Sequence, residues 1–203
     1  MTFDAKQDDL DPAKRKRTYV RRSSAWFEVS KLEQTSFRIR MGGLVGSASM
    51  ARLSRGLARR QISIVSVHAK LDHDDTWIAE LHVESLPGGA DPRSLVYVEL
   101  ADGDDDPLPS PLPPLVATDM AASPDHGGTL LLTVEAEDNL GLLGSLLAAL
   151  AELSLFPVEM HIDTRAGRAH DKLWLCDASG ESPSPAALEA LRRLLSSGRT
   201  AAE

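Results

Sequence analysis

A shift of 93 residues lays the first half of this 203-residue chain onto its second half, and no other feature restricts its fold so strongly. Ile62 falls on Leu155, Leu53 on Leu146, Leu57 on Leu150, His68 on His161, and Asp91-Pro92 on Ser184-Pro185. The second copy is the easier to read. Residues 130–136 alternate apolar and polar as a half-buried strand does, and residues 140–154 place Leu143, Leu146, Leu147, Leu150 and Leu153 on one helical stripe. Residues 155–164 alternate again, Arg165-Ala166-Gly167 turns the chain, and residues 168–177 return as a strand with Leu173 and Leu175 on one face. Ser184 as N-cap and Pro185 at the first helical position open a last helix carrying Leu188, Leu191, Leu194 and Leu195. The unit is therefore β-α-β-β-α, used twice.

In the first copy a one-residue slip brings Ala79, Leu81 and Val83 onto Asp171, Leu173 and Leu175. Local preference and repeat disagree at residues 92–101, because Val96, Tyr97 and Val98 favour a strand while the Asp91-Pro92 start signal favours a helix. The repeat decides for helix. A β-α-β-β-α unit leaves one sheet edge without its fourth strand, and too few residues follow the last helix to supply one. Leu115 to Ala121 can add that strand to the second unit, and Trp26 to Leu32 to the first, so each unit starts with the strand that usually ends it.

Charge divides the chain further. Residues 1–24 carry seven Lys/Arg against four Asp with almost no apolar periodicity, the composition of a disordered basic tail. Residues 102–114 are rich in Asp and Pro, which lack the means to pair or pack, and read as an extended acidic linker. The domains are then 1–24 as tail, 25–101 as the first repeat, 102–114 as linker and 115–203 as the second repeat. A net charge of −8 argues against the whole chain binding nucleic acid or anionic membrane. The lone Cys176 excludes an intrachain disulfide, no apolar run reaches the roughly 20 residues of a membrane span, and the N-terminus is polar. A cytoplasmic protein is expected.

The segment Ala136-Glu137-Asp138-Asn139-Leu140-Gly141-Leu142-Leu143, followed by Ala169-x-Asp171-x-Leu173-x-Leu175, resembles the Asp-x-Pro-Gly-Leu-Leu turn and later strand of ACT domains. The tandem arrangement is most similar to the ACT repeats at the C-terminus of the glutamine-sensing uridylyltransferases of bacterial nitrogen control. The resemblance covers residues 25–197, strongly in the second repeat and weakly in the first. It implies an α+β fold of two ferredoxin-like βαββαβ units, each with its edge strand placed before the unit and helices on one face of antiparallel sheets. It also implies amino-acid binding between paired domains. Two departures stand out. Leu140 replaces the family's proline, and the first repeat has Val45, Ser47 and Ala48 where the second has Asp138, Leu140 and Gly141, so its motif is lost.

The expected ligand site joins Asp138, Asn139, Leu140, Gly141, Leu142 and Leu143 to the start of a facing strand at Phe156, Pro157 and Val158. Free amides at a helix N-terminus suit a ligand carboxylate, and an acidic side chain suits its ammonium group. The competing reading makes Asp138 a plain N-cap and Gly141 a packing glycine. His161, Asp163, His170 and Asp171 have metal-ligating side chains but loose spacing, and Asp72-His73-Asp74-Asp75 reads better as a polar hairpin turn. No metal or cofactor is expected. No nucleophile elbow or phosphate loop is present, and Cys176 lies among apolar neighbours, so no enzyme activity is expected. RNA recognition would need paired aromatics on the sheet, and Trp174 stands alone. The expectation is a regulatory protein without a catalytic domain that binds a free amino acid, glutamine by resemblance, forms a homodimer and signals to a metabolic enzyme. A ligand-free dimerisation or interaction module is the alternative, and nucleic-acid binding through the basic N-terminal tail comes after it.

Overall fold

The computed structural model describes residues 16–19, 25–45, 48–72, 76–103 and 112–197. Among these lie nine strands: β1 (Lys16–Tyr19), β2 (Trp26–Lys31), β3 (Ser36–Val45), β4 (Ile62–Leu71), β5 (Thr76–Ser85), β6 (Leu115–Ser123), β7 (Thr129–Glu137), β8 (Phe156–Arg165) and β9 (Arg168–Cys176). The helices are α1 (Ser49–Arg59), α2 (Tyr97–Asp102), α3 (Leu142–Glu152) and α4 (Pro185–Ser197). All nine strands join one antiparallel sheet in the order β1-β2-β3-β5-β4-β8-β9-β7-β6.

Apart from β1 at the outer edge, the two halves of that order mirror each other about the β4–β8 junction. Residues 115–123 and 26–31 do precede their units and pair with the first strand of each, as the missing fourth strand required. Alternation then sorts the side chains. Ile39, Val67 and Leu81 stand side by side across β3, β4 and β5, and Leu132, Met160 and Leu173 do the same across β7, β8 and β9; all six are buried. Helix faces close this side of the sheet: Met50, Leu53 and Leu57 of α1, Leu143, Leu146 and Leu150 of α3, and Leu191 and Leu195 of α4 belong to one continuous core. Ser184 caps α4, its Oγ accepting the Ala187 amide at 3.2 Å.

Residues 92–101 resolve the conflict between strand preference and repeat largely toward helix. Pro92–Ser94 forms a single 3₁₀ turn whose Asp91 carboxylate accepts the Arg93 amide, and α2 follows only at Tyr97. Val96 between them stays extended, so the β-branched residue shortens the helix without preventing it. Tertiary contact fixes the outcome: Tyr97 is buried, its ring 5.3 Å from Phe27 and its hydroxyl donating to the Pro92 carbonyl.

The basic tail needs one correction. Lys16–Tyr19 is not disordered but pairs with β2, because an edge strand offers open backbone donors and acceptors that require no apolar partner. The rest of the tail and residues 104–111 of the linker lie outside the described residues.

α1 and α3 approach closely where Gly144 faces Arg55. A Cβ added there would meet Arg55 Cγ at 2.7 Å and its backbone nitrogen at 3.2 Å, and the backbone cannot swing aside as the side chain can. Gly144→Val is therefore expected to destabilise the fold by about 1–3 kcal/mol through overpacking. Urea unfolding measures it, and an unchanged midpoint would mean the two helices are not held at that distance.

Candidate functional site

The two repeats meet through a short ladder in which residues 66–70 of β4 pair with residues 163–159 of β8. His68 lies opposite His161, ring centroids 4.0 Å apart, so the two matched histidines sit where the repeats exchange. Burial holds the His161 imidazole below its ordinary pKa and nearby His68 adds to this, while Glu159, bonded to it at 3.0 Å, opposes both.

Beyond this ladder each strand bulges, β4 between Ile64 and Ser66 and β8 between Pro157 and Glu159. A bulge bends its strand and ends regular pairing. The freed start of β4, with Ser54 and Ala58 of α1, forms one wall of a cleft. The other wall is the loop from β7 to α3, residues 138–144, and Ile162, Thr164, Ala169 and Asp171 make the floor. Its volume is about 30 Å³, room for roughly two waters.

The turn itself is built by backbone. Asp138 N–H donates to Gly167 O, Leu142 N–H to Asn139 O, and Asn139 Nδ2 to Glu137 O. Gly141 occupies the N-cap position of α3 at φ 91°, a left-handed conformation that glycine alone adopts cheaply, and no side chain caps the helix. Asp138 is therefore not the N-cap. It lines the cleft, and partial burial raises its pKa. Leu140 is exposed.

All six turn residues from Asp138 to Leu143 line the cleft, but Phe156, Pro157 and Val158 do not. The facing strand start comes from the other repeat. Ser63 and Ile64, which the 93-residue shift places on Phe156 and Pro157, occupy that wall. Asp171 is the residue whose part in the cleft the sequence reading passed over. It interrupts the inward stripe Ala169-x-Asp171-x-Leu173-x-Leu175, and a carboxylate among core positions was the signal available.

Asp171 is only 1% exposed and neither of its oxygens has a hydrogen-bond partner. Burial above all, then the negative charge of Asp138, push its pKa up to about 7; the Asp163 amide opposes this weakly, from outside bonding geometry.

The remaining metal-type side chains are dispersed. Asp163 pairs with Arg165 and His170 with Glu135, and no three His, Cys, Asp or Glu among the described residues are grouped to hold a metal. Of Asp72 to Asp75 only Asp72 is described, its amide bonded to Thr76 O as a hairpin turn requires. Trp174 lies on the sheet face away from the helices but is covered: His126 stacks on it at 4.7 Å and its indole N–H donates to Ser123 Oγ. Cys176 is buried, which raises its thiol pKa. No described helix is long and apolar enough to cross a membrane.

No protein-family model matches the chain, and no curated protein matches it either. Among solved structures it is similar to the crystal structure of aspartate kinase from Synechocystis, with a TM-score of 0.46 and 15% identity over 81% of this chain and 27% of that one. The chain thus spans about a quarter of that kinase, and the functional reading rests on the geometry of the cleft.

Between pH 3.8 and about 7 the unfolded chain has lost the Asp171 proton while the folded chain still holds it, so stability falls as pH rises through that window. Asp171→Asn should remove this slope. The variant is expected to be more stable than wild type above pH 7, by as much as ~4 kcal/mol, with the difference shrinking toward pH 4. Thermal or urea unfolding across pH 4–8 checks it; parallel profiles would mean the carboxyl is not buried unpaired.

Proposed function

We propose that the chain is a regulatory module of two ferredoxin-like, ACT-type units that binds a free amino acid in the cleft between them and carries no catalytic activity of its own. One observation supports this above the others: the Asp138–Leu143 turn of the second repeat faces the bulged strand start of the first, so a ligand there touches both repeats. A ligand that bridges two units favours their paired arrangement by its differential affinity for it, and that is the condition for signalling to a partner. A metabolic enzyme is the partner in this reading, glutamine the first ligand to try, and a homodimer the working assembly. The strand order β6-β7-β9-β8, with the outer strand in the place of a fourth, agrees with the ACT-type unit.

The small volume of the cleft supports the rival reading, in which the repeats pair only as a scaffold. Thermal-shift measurement with each amino acid separates the two. A ligand at a hundred times its Kd should stabilise the fold by about 2.7 kcal/mol, a rise of about 5–10 °C for a domain of this size. Asp138→Ala and Gly141→Val should abolish the rise while keeping the circular dichroism spectrum. In Gly141→Val the left-handed φ is strained and the new side chain meets Ala58 Cβ at about 3.5 Å from its own Cβ. No shift with any amino acid at millimolar concentration favours the scaffold.

A further inference from the structure

We propose that Asp171, with Asp138 beside it, forms a cation subsite on the floor of the cleft that receives the primary ammonium group of the ligand. This rests on the reading of the cleft as a ligand site and names the chemistry of its inner end. The geometry is specific. Asp171 stands on the helix-facing side of β9, between Val134 and Ile162 of the neighbouring strands, almost wholly buried and with both carboxylate oxygens unpartnered. A buried carboxylate left this way is strongly unfavourable unless something pairs with it.

The fold does not ask for the carboxylate. In the first repeat the same position is Ala79, held between Met41 and Ala69, the residues that the 93-residue shift lays on Val134 and Ile162. A methyl group therefore closes that position in one copy, and an acid stands there in the other. The copy with the acid is also the copy that keeps Asp138 and Gly141 in its turn. Ser63 and Thr164 add hydroxyl oxygens to the same walls. The lining thus offers two carboxyl groups and three hydroxyl residues, Ser54 having its hydroxyl already given to Met50 O, around a space of about 30 Å³.

A compact cation with several hydrogen-bond donors meets that set of acceptors. A primary ammonium has three N–H donors on a small head. The inner end of the cleft is narrow, so the remainder of the ligand leaves along the Asp138–Leu143 turn, toward the start of α3. An alkali-metal ion has the same charge and a similar radius, and the test carries an arm for each.

The experiment uses calorimetry and thermal shift on the full chain with the twenty amino acids, the N-acetyl form of each that binds, methylammonium chloride, and potassium and sodium chloride at matched ionic strength. Asp171→Asn is the variant, since it preserves shape and is expected to fold at least as well as wild type. The subsite predicts at least a tenfold loss of affinity on acetylation of the ligand, and the same loss in Asp171→Asn with its melting temperature undiminished. It also predicts that tens of millimolar methylammonium raises the melting temperature of wild type but not of the variant. An amino acid bound equally well by the variant and in acetylated form overturns the subsite and leaves the amino-acid reading standing. Asp171-dependent protection by methylammonium, with no amino acid bound, keeps the subsite and overturns that reading. Protection by potassium or sodium that exceeds methylammonium overturns the ammonium assignment, and silence from every probe overturns both.

Discussion

The antiparallel pairing of β4 with β8 is the interaction on which the rest of this molecule depends. It joins the five strands of the first half to the four of the second in one sheet, and the ladder itself is symmetric: exchanging the repeats carries it onto itself, with His68 and His161 at its centre. Backbone hydrogen bonds set this register, and side chains set its limits. The bulges at Val65 and Val158, matched by the same 93-residue shift, turn each strand start away from the junction. Pairing in the middle also draws α1 against α3, where Gly144 permits the approach to Arg55.

Symmetry of the frame makes its asymmetries informative. Both repeats carry a bulge at the matched strand start, yet only the second has Asp138 and Gly141 in its turn and Asp171 at the position Ala79 holds in the first. Asp171 is buried without a hydrogen-bond partner, and burial raises its pKa, whereas the matched position in the first repeat is the small apolar Ala79. A buried, unpartnered carboxyl group lining a cleft is the kind of perturbed group that clusters at functional sites.

Much of the architecture was legible in sequence. The leucine stripes of α3 and α4, the alternation in β7 and β9 and the Ser184-Pro185 start are local patterns, and the repeat transferred them to the weaker first half. Residues 92–101 show how far that transfer reaches: a 3₁₀ turn forms at Pro92–Ser94, but the α-helix starts only at Tyr97, after the extended Val96. The tail shows where composition misleads, since Lys16–Tyr19 joins the sheet through backbone groups that composition does not describe. At the cleft, the Asp138–Leu143 turn forms one wall as its sequence suggests, while Ser63 and Ile64, rather than Phe156 to Val158, form the wall that faces it.

By itself, then, the sequence determined the elements and their order within each unit, because periodicity, capping and glycine placement act over a few residues of chain. Only the tertiary structure decided that β4 pairs with β8, that the cleft is shared between repeats, and that Asp171 lies in it without a partner. Edge-to-edge pairing is made by main-chain groups common to every residue, so the sequence carries little mark of which edges meet. The burial of one carboxyl group depends on walls supplied from both halves of the chain.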